Sequence, residues 1–185
     1  LDPELSRQPR GTRMKLTRRL VEGLGAWLQF EAHCNRRGLF SERYLSNPIG
    51  QILGAVYGSD VHAEEPHPAL AGIWNGPGAR PRLDFVAFKS DHVVAAVESK
   101  WIGATRPSVR SVLWDLVRLA LVAQHCDAQS TFLLGGRKRD LQRFFGTTAF
   151  LGETIGYSKP LMPMSTASTV YALCCRAPLF VPVFS

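Results

Sequence analysis

The chain has 185 residues and a formal net charge of +7, from 22 Lys and Arg against 15 Asp and Glu. With 45% hydrophobic and 20% charged residues, its composition excludes disordered and collagen-like classes and suits one domain with a sizeable core. The longest apolar runs, such as Leu119 to Ala123 and Val93 to Val97, fall far short of the ~18 residues that span a bilayer.

The opening Leu1-Asp2-Pro3-Glu4 lacks the charged and then apolar layout of a signal peptide, so a soluble cytoplasmic protein with no membrane partner is expected. Residues 1–11, with Pro3, Pro9 and Gly11 among Arg7 and Arg10, read as a flexible basic arm, and residues 12–185 as a single domain. From Thr12, Leu16, Leu20, Leu24, Trp27 and Leu28 recur at helical steps and predict an amphipathic helix to about Arg37, ended by Gly38. A second helix is predicted from Glu42 or Pro48 to Val56, through Leu45, Ile49, Ile52 and Leu53, with Pro48 in its first turn. Asp60 to Pro66 reads as a strand, and the prolines and glycines from Pro66 to Pro81 mark a long loop.

Arg82 to Lys89 and His92 to Trp101 alternate as the two strands of a β-hairpin turning at Ser90-Asp91. Val112, Leu113, Leu116, Leu119, Ala120 and Ala123 predict a helix from Ser108 to about Gln124. Ser130 to Leu134 is a short apolar strand that Gly135-Gly136 should stop, Arg139 to Phe145 a short helix, and Thr169 to Cys175 a last strand. Residues 146–168 are poorly patterned. A strand-helix-strand passage from Val93 to Leu134 needs a crossover between parallel strands. The expectation is therefore an α/β fold, a mixed sheet of four to five strands flanked by helices.

The hairpin carries the chemistry. Residues two apart on a strand share a face, so Glu98 and Lys100 project together, along with Val94 and Ala96. Asp84 joins them only in one register. A plain two-residue turn pairs Lys89 with His92 and sets Asp84 against Val97, on the wrong side. An odd-length loop, or a bulge, sets Asp84 opposite Glu98. Two carboxylates so placed repel unless a proton or cation lies between them. Mg²⁺, or Mn²⁺ in its place, suits a few oxygen ligands completed by water and a substrate phosphate. Lys100 on the same face would orient the attacking water or offset charge in the transition state.

Pro81-Arg82-Leu83-Asp84, followed fourteen positions later by Glu98-Ser99-Lys100, resembles the PD-(D/E)xK nuclease signature, over a core of about residues 41–136. The resemblance implies a restriction-endonuclease-like fold and hydrolysis of phosphodiester bonds, with DNA the expected substrate. It implies Asp84 and Glu98 as metal ligands, the Ser99 carbonyl completing the site, and Lys100 as catalytic. The proline stands three positions before Asp84, a departure from the family pattern. Many members add a glutamate from the first core helix; Glu42 is the choice here, with Glu31 and Glu64 as alternatives. Glu31, on the stripe of Leu20, Leu24 and Trp27, otherwise reads as a partner for Arg37 or another cation, and Glu64 as a solvated edge residue. A non-catalytic nucleic-acid-binding or assembly module with the same fold is the competing reading. A basic domain that meets an acidic partner protein is a third, and a homodimer is compatible with any of them.

Gly135-Gly136-Arg137-Lys138-Arg139, between a strand and a helix, could hold a backbone phosphate through amides and cations, although the P-loop spacing is absent. Arg7, Arg10, Arg13, Lys15, Arg18 and Arg19 make the start of the chain strongly basic, which suits phosphate contacts or a solvated tail. Asp115, beside Trp114 on the helix after the motif, could position a lysine or the substrate; the preferred reading is an exposed helical carboxylate. Five scattered histidines and four cysteines show no zinc-binding spacing, and no GxSxG elbow surrounds Ser99.

Overall fold

The computed structural model describes residues 10–103, 107–147 and 169–173. These form α1 (Arg10–His33), α2 (Glu42–Tyr57), β1 (Val61–Pro66), β2 (Arg82–Lys89), β3 (His92–Ile102), α3 (Val109–Cys126), β4 (Gln129–Gly136), α4 (Lys138–Thr147) and β5 (Thr169–Leu173). This is the element order that the sequence predicts. Most of the expected arm (residues 1–9), the segment 148–168, Cys174 and Cys175 lie outside the described residues.

The five strands form one sheet in the order β1-β2-β3-β4-β5. Only β3 and β4 run parallel, joined by α3 as the crossover; the other neighbours are antiparallel. Helices cover both faces, so the fold is a mixed α/β one. On one face Leu16, Leu20, Leu24 and Leu28 of α1 and Leu45, Ile49 and Leu53 of α2 pack with Phe85, Ala87, Ala95, Val97 and Leu133. On the other, Val112, Leu119 and Val122 of α3 and Leu141 and Phe144 of α4 pack with Val86, Ala96, Ile102, Phe132 and Leu134. A continuous apolar run such as Phe132-Leu133-Leu134 is what a strand covered on both faces requires.

Several element ends differ from expectation for identifiable reasons. Helix α1 starts at Arg10 and stops at His33, before Arg37. Asn35 takes the left-handed conformation (φ 65°), while Arg36 N–H donates to Glu31 O and Asn35 N–H to Ala32 O. That is a Schellman ending with asparagine in the place glycine usually takes. Helix α2 begins at Glu42, capped by Ser41, whose hydroxyl accepts from the Tyr44 amide. Pro48 therefore lies in the helix interior and not in its first turn.

Gly135 and Gly136 do not stop β4; they are its last two residues, paired with Trp101 and Ile102. Small size is what these places demand. A Cβ on Gly135 would lie 2.9 Å from the Trp101 ring, and one on Gly136 2.7 Å from the Ile102 carbonyl oxygen. The glycine amides thus belong to a strand with neighbours on both sides and do not form a phosphate-binding loop.

Candidate active site

The β2–β3 turn has the two residues Ser90 and Asp91, both at positive φ (49° and 63°), and pairs Lys89 with His92. Left alone, this tight turn would send Asp84 to the wrong face. A bulge intervenes: Phe88 pairs with Val93, but Ala87 pairs with Ala95, so Val94 is the surplus residue. Val86 then meets Ala96 and Phe85 meets Val97. One step further along this ladder, Asp84 stands across from Glu98. The bulge also moves Val94 off the Glu98 face, against expectation; Val94 packs with the α1/α2 core.

Glu98 is fully buried, at 0% exposure. It shares the α3-covered face with Ala96 and Ile102, the same side as Lys100. Asp84 is held from the neighbouring strand: its Oδ2 accepts the Ser99 backbone N–H at 2.8 Å and the Ser99 hydroxyl at 2.9 Å. Glu42, at the start of α2, lies beside Lys100, its Oε1 2.9 Å from Lys100 Nζ.

Two further residues stand beside these: Asp115, for which the exposed reading is the preferred one from sequence, and Arg118, which the sequence does not single out. Asp115 is not an exposed helical carboxylate; it is 3% exposed, with Oδ2 3.3 Å from Lys100 Nζ. One turn on, the Arg118 guanidinium contacts Asp115 Oδ1 and lies 2.9 Å from Glu98 Oε1. It also donates to the Arg82 carbonyl. A signal for Asp115 was present: Val112, Asp115, Leu119 and Val122 follow one another at steps of three and four, so Asp115 interrupts the apolar stripe of α3. Arg118 shares no such pattern and is legible only as the cation three residues beyond that aspartate.

The Glu98 carboxyl is under-satisfied. Arg118 is in ion-pair contact with Oε1 but is not aligned as a hydrogen bond, and Oε2 has neither a hydrogen bond nor an ion pair among the described residues. Burial, and then repulsion by Asp84, push the Glu98 pKa up to about 9. Arg118 and Lys100 pull the other way without compensating. Burial alone would lower the Lys100 pKa, but the Glu42 hydrogen bond and the Asp115 charge outweigh it, so the ammonium ends above its ordinary value. Lys100 is therefore a fixed cation near neutral pH.

The other glutamates stand apart. Glu31 is buried, but its carboxylate is held by Tyr44 Oη at 2.5 Å and by Arg36, not Arg37, at 3.2 Å. Those bonds, Tyr44 first, keep its pKa below the ordinary value. Glu64 is exposed on β1, with φ 51°.

Arg137 is exposed just past β4, and parallel pairing puts that strand's end at the same end of the sheet as Lys100. Arg139 is also exposed and loosely paired with Asp140 at 3.6 Å; the Lys138 side chain lies outside the described residues. Of the basic residues on α1, Arg18 is paired with Glu22 at 2.6 Å.

Asp84 and Glu98 are the residues that would hold a hard divalent cation, were one bound here. Two facing carboxylates with an unpaired buried oxygen match what Mg²⁺ takes from a protein when water and phosphate supply the rest. Among the described residues no group of three or more His, Cys, Asp or Glu side chains could hold a metal ion. No described helix is long and apolar enough to cross a membrane. Compared with protein-family models, with curated proteins and with solved structures, the chain matches none.

Proposed function

We propose that this protein is a Mg²⁺-dependent nuclease of the PD-(D/E)xK kind, with a restriction-endonuclease-like fold and DNA as its substrate. The observation that carries this reading is the pairing of Asp84 with a fully buried, under-satisfied Glu98, on the strand that also carries Lys100. A carboxyl buried without hydrogen bonds, kept neutral only by a raised pKa, adds nothing to stability. The group makes sense as half of a cation site.

In this reading Asp84 and Glu98 hold Mg²⁺, or Mn²⁺, with the Ser99 carbonyl as a further ligand. The bound ion would polarise the phosphodiester and make bound water a stronger nucleophile. Lys100, kept charged between Glu42 and Asp115, offsets charge that builds on the phosphate and does not serve as a base. Glu42 sets the position of that ammonium. Arg137 and Arg139, with Lys138 between them in sequence, supply backbone-phosphate contacts beyond the strand ends. The net charge of +7 favours the approach of a polyanion.

The test is cleavage of duplex and single-stranded DNA and of RNA, with Mg²⁺ or Mn²⁺ and with EDTA. Wild type should cut only with metal. Asp84→Ala and Lys100→Ala should stay folded and lose roughly a hundredfold or more in rate. Equal cutting by wild type and both variants would sink the assignment. Salt-sensitive DNA binding without any cutting would point instead to a non-catalytic module.

A further inference from the structure

The site holds more charged groups than a metal and a lysine require. Asp115 and Arg118 sit one turn apart on α3, both largely buried, and together they touch two of the three motif residues. We propose that Asp115 and Arg118 are a positioning pair for this site: Arg118 holds Glu98 by Oε1 so that Oε2 is presented to a divalent cation, while Asp115 holds both Arg118 and Lys100. The inference rests on the metal-site reading above and adds to it two residues outside the motif.

Three observations argue for it. Both Glu98 oxygens are buried without a hydrogen bond, but Oε1 is in ion-pair contact with Arg118 Nη2 at 2.9 Å, whereas Oε2 has no ion pair among the described residues. A carboxylate held on one side only is restricted to offering its other oxygen. Arg118 itself makes two further contacts, with the Asp115 carboxylate and the Arg82 carbonyl, which restrain its guanidinium. Arg82 lies two residues before Asp84, so Arg118 also ties helix α3 to the strand that carries the opposing carboxylate. Asp115 divides its oxygens in the same way, Oδ1 to Arg118 and Oδ2 toward Lys100. One helical carboxylate thereby sets the spacing between the site's two cations.

Mn²⁺ binding to the full chain, measured by calorimetry, decides the matter without a substrate. Wild type should bind Mn²⁺, and Asp84→Asn should abolish binding. Arg118→Met should weaken it by about 10- to 100-fold, and Arg118→Lys, which keeps a cation, should recover part of that loss. If Arg118→Met does not fold, as judged by circular dichroism, the near-isosteric Asp115→Asn takes its place, with several-fold weaker Mn²⁺ binding expected. Unchanged or tighter binding by a folded variant, with Asp84 still required, overturns the positioning pair and leaves the metal site standing. Absence of Asp84-dependent Mn²⁺ binding in wild type overturns both.

Discussion

Ser99 gives its backbone N–H and its hydroxyl to the same oxygen of Asp84, at 2.8 and 2.9 Å. Two donors converge on one oxygen and anchor the carboxylate at that atom. The middle residue of Glu98-Ser99-Lys100 is thus a structural partner of the motif's aspartate. Ser99→Ala should cost about 1–2 kcal/mol of stability, since a hydrogen bond to a charged group is lost from a part-buried place. Urea denaturation checks this, and a change within experimental error would show that the backbone bond alone suffices.

Glu42 is half-exposed whereas Lys100 is mostly buried (44% and 15% side-chain exposure), so the pair is screened on one side. Glu42→Gln should therefore change stability by no more than about 1 kcal/mol. Its effect on cleavage should be larger, about tenfold, because Lys100 would turn toward Asp115. The comparison of melting temperature with single-turnover rate separates the two effects; a rate loss that merely tracks lost stability would remove Glu42 from the site.

The Glu98 carboxyl, raised from 4.5 to about 9, makes stability depend on pH with a definite sign. Between these values the folded, metal-free chain retains a proton that the unfolded chain has released. Stability from this group is fully present below about 4.5 and is lost as pH rises through about 9, by at most about 1.4 kcal/mol per unit. His67 acts oppositely. Burial, despite the Nε2 bond to the Arg118 carbonyl at 2.9 Å, lowers its pKa below 6.5, so its contribution is lost as pH falls beneath that value. Urea melts in EDTA should show stability declining from pH 7 to 9, and Glu98→Gln should flatten that decline. A wild-type profile already flat over that range would contradict the raised carboxyl.

Gly135 and Gly136 should differ in their tolerance of a methyl group. At Gly135 the obstruction is the Trp101 ring at 2.9 Å, part of a side chain and not of the backbone. At Gly136 it is the Ile102 carbonyl oxygen at 2.7 Å, which belongs to the adjacent strand. Gly136→Ala should destabilise by about 2–3 kcal/mol and Gly135→Ala by about 1–2 kcal/mol. Chemical denaturation gives the ranking, and the reverse order would mean that the backbone yields more readily than the ring.

Most of the architecture was legible because apolar spacing survives in single elements. The stripe Leu16, Leu20, Leu24, Leu28 could hardly be anything but a helix face, and the Val93 to Leu134 passage required a parallel crossover. What escaped depended on relations between elements. Asn35 at a helix end carries a weaker signal than Gly38, so α1 was expected to run too far. The two glycines of β4 looked like a stop because the ring that presses on Gly135 comes from another strand. For Asp115 the sequence leaves two readings, one beside a lysine and one in solvent, because the depth of an acid depends on cations the sequence does not locate, here Lys100 and Arg118. The phase of Asp84 was conditional for the same reason: a hairpin sequence shows alternation on each strand but not where a residue is skipped.

That skipped residue has a consequence for length. β3 is one residue longer between His92 and Glu98 than its ladder with β2 can use, and Val94 is the excess. Losing a single residue from this stretch straightens the ladder and still leaves Asp84 across from Glu98. Gaining one demands a second irregularity or throws the two carboxylates onto opposite sides of the sheet. On pairing grounds the hairpin thus tolerates shortening by one residue but not lengthening by one.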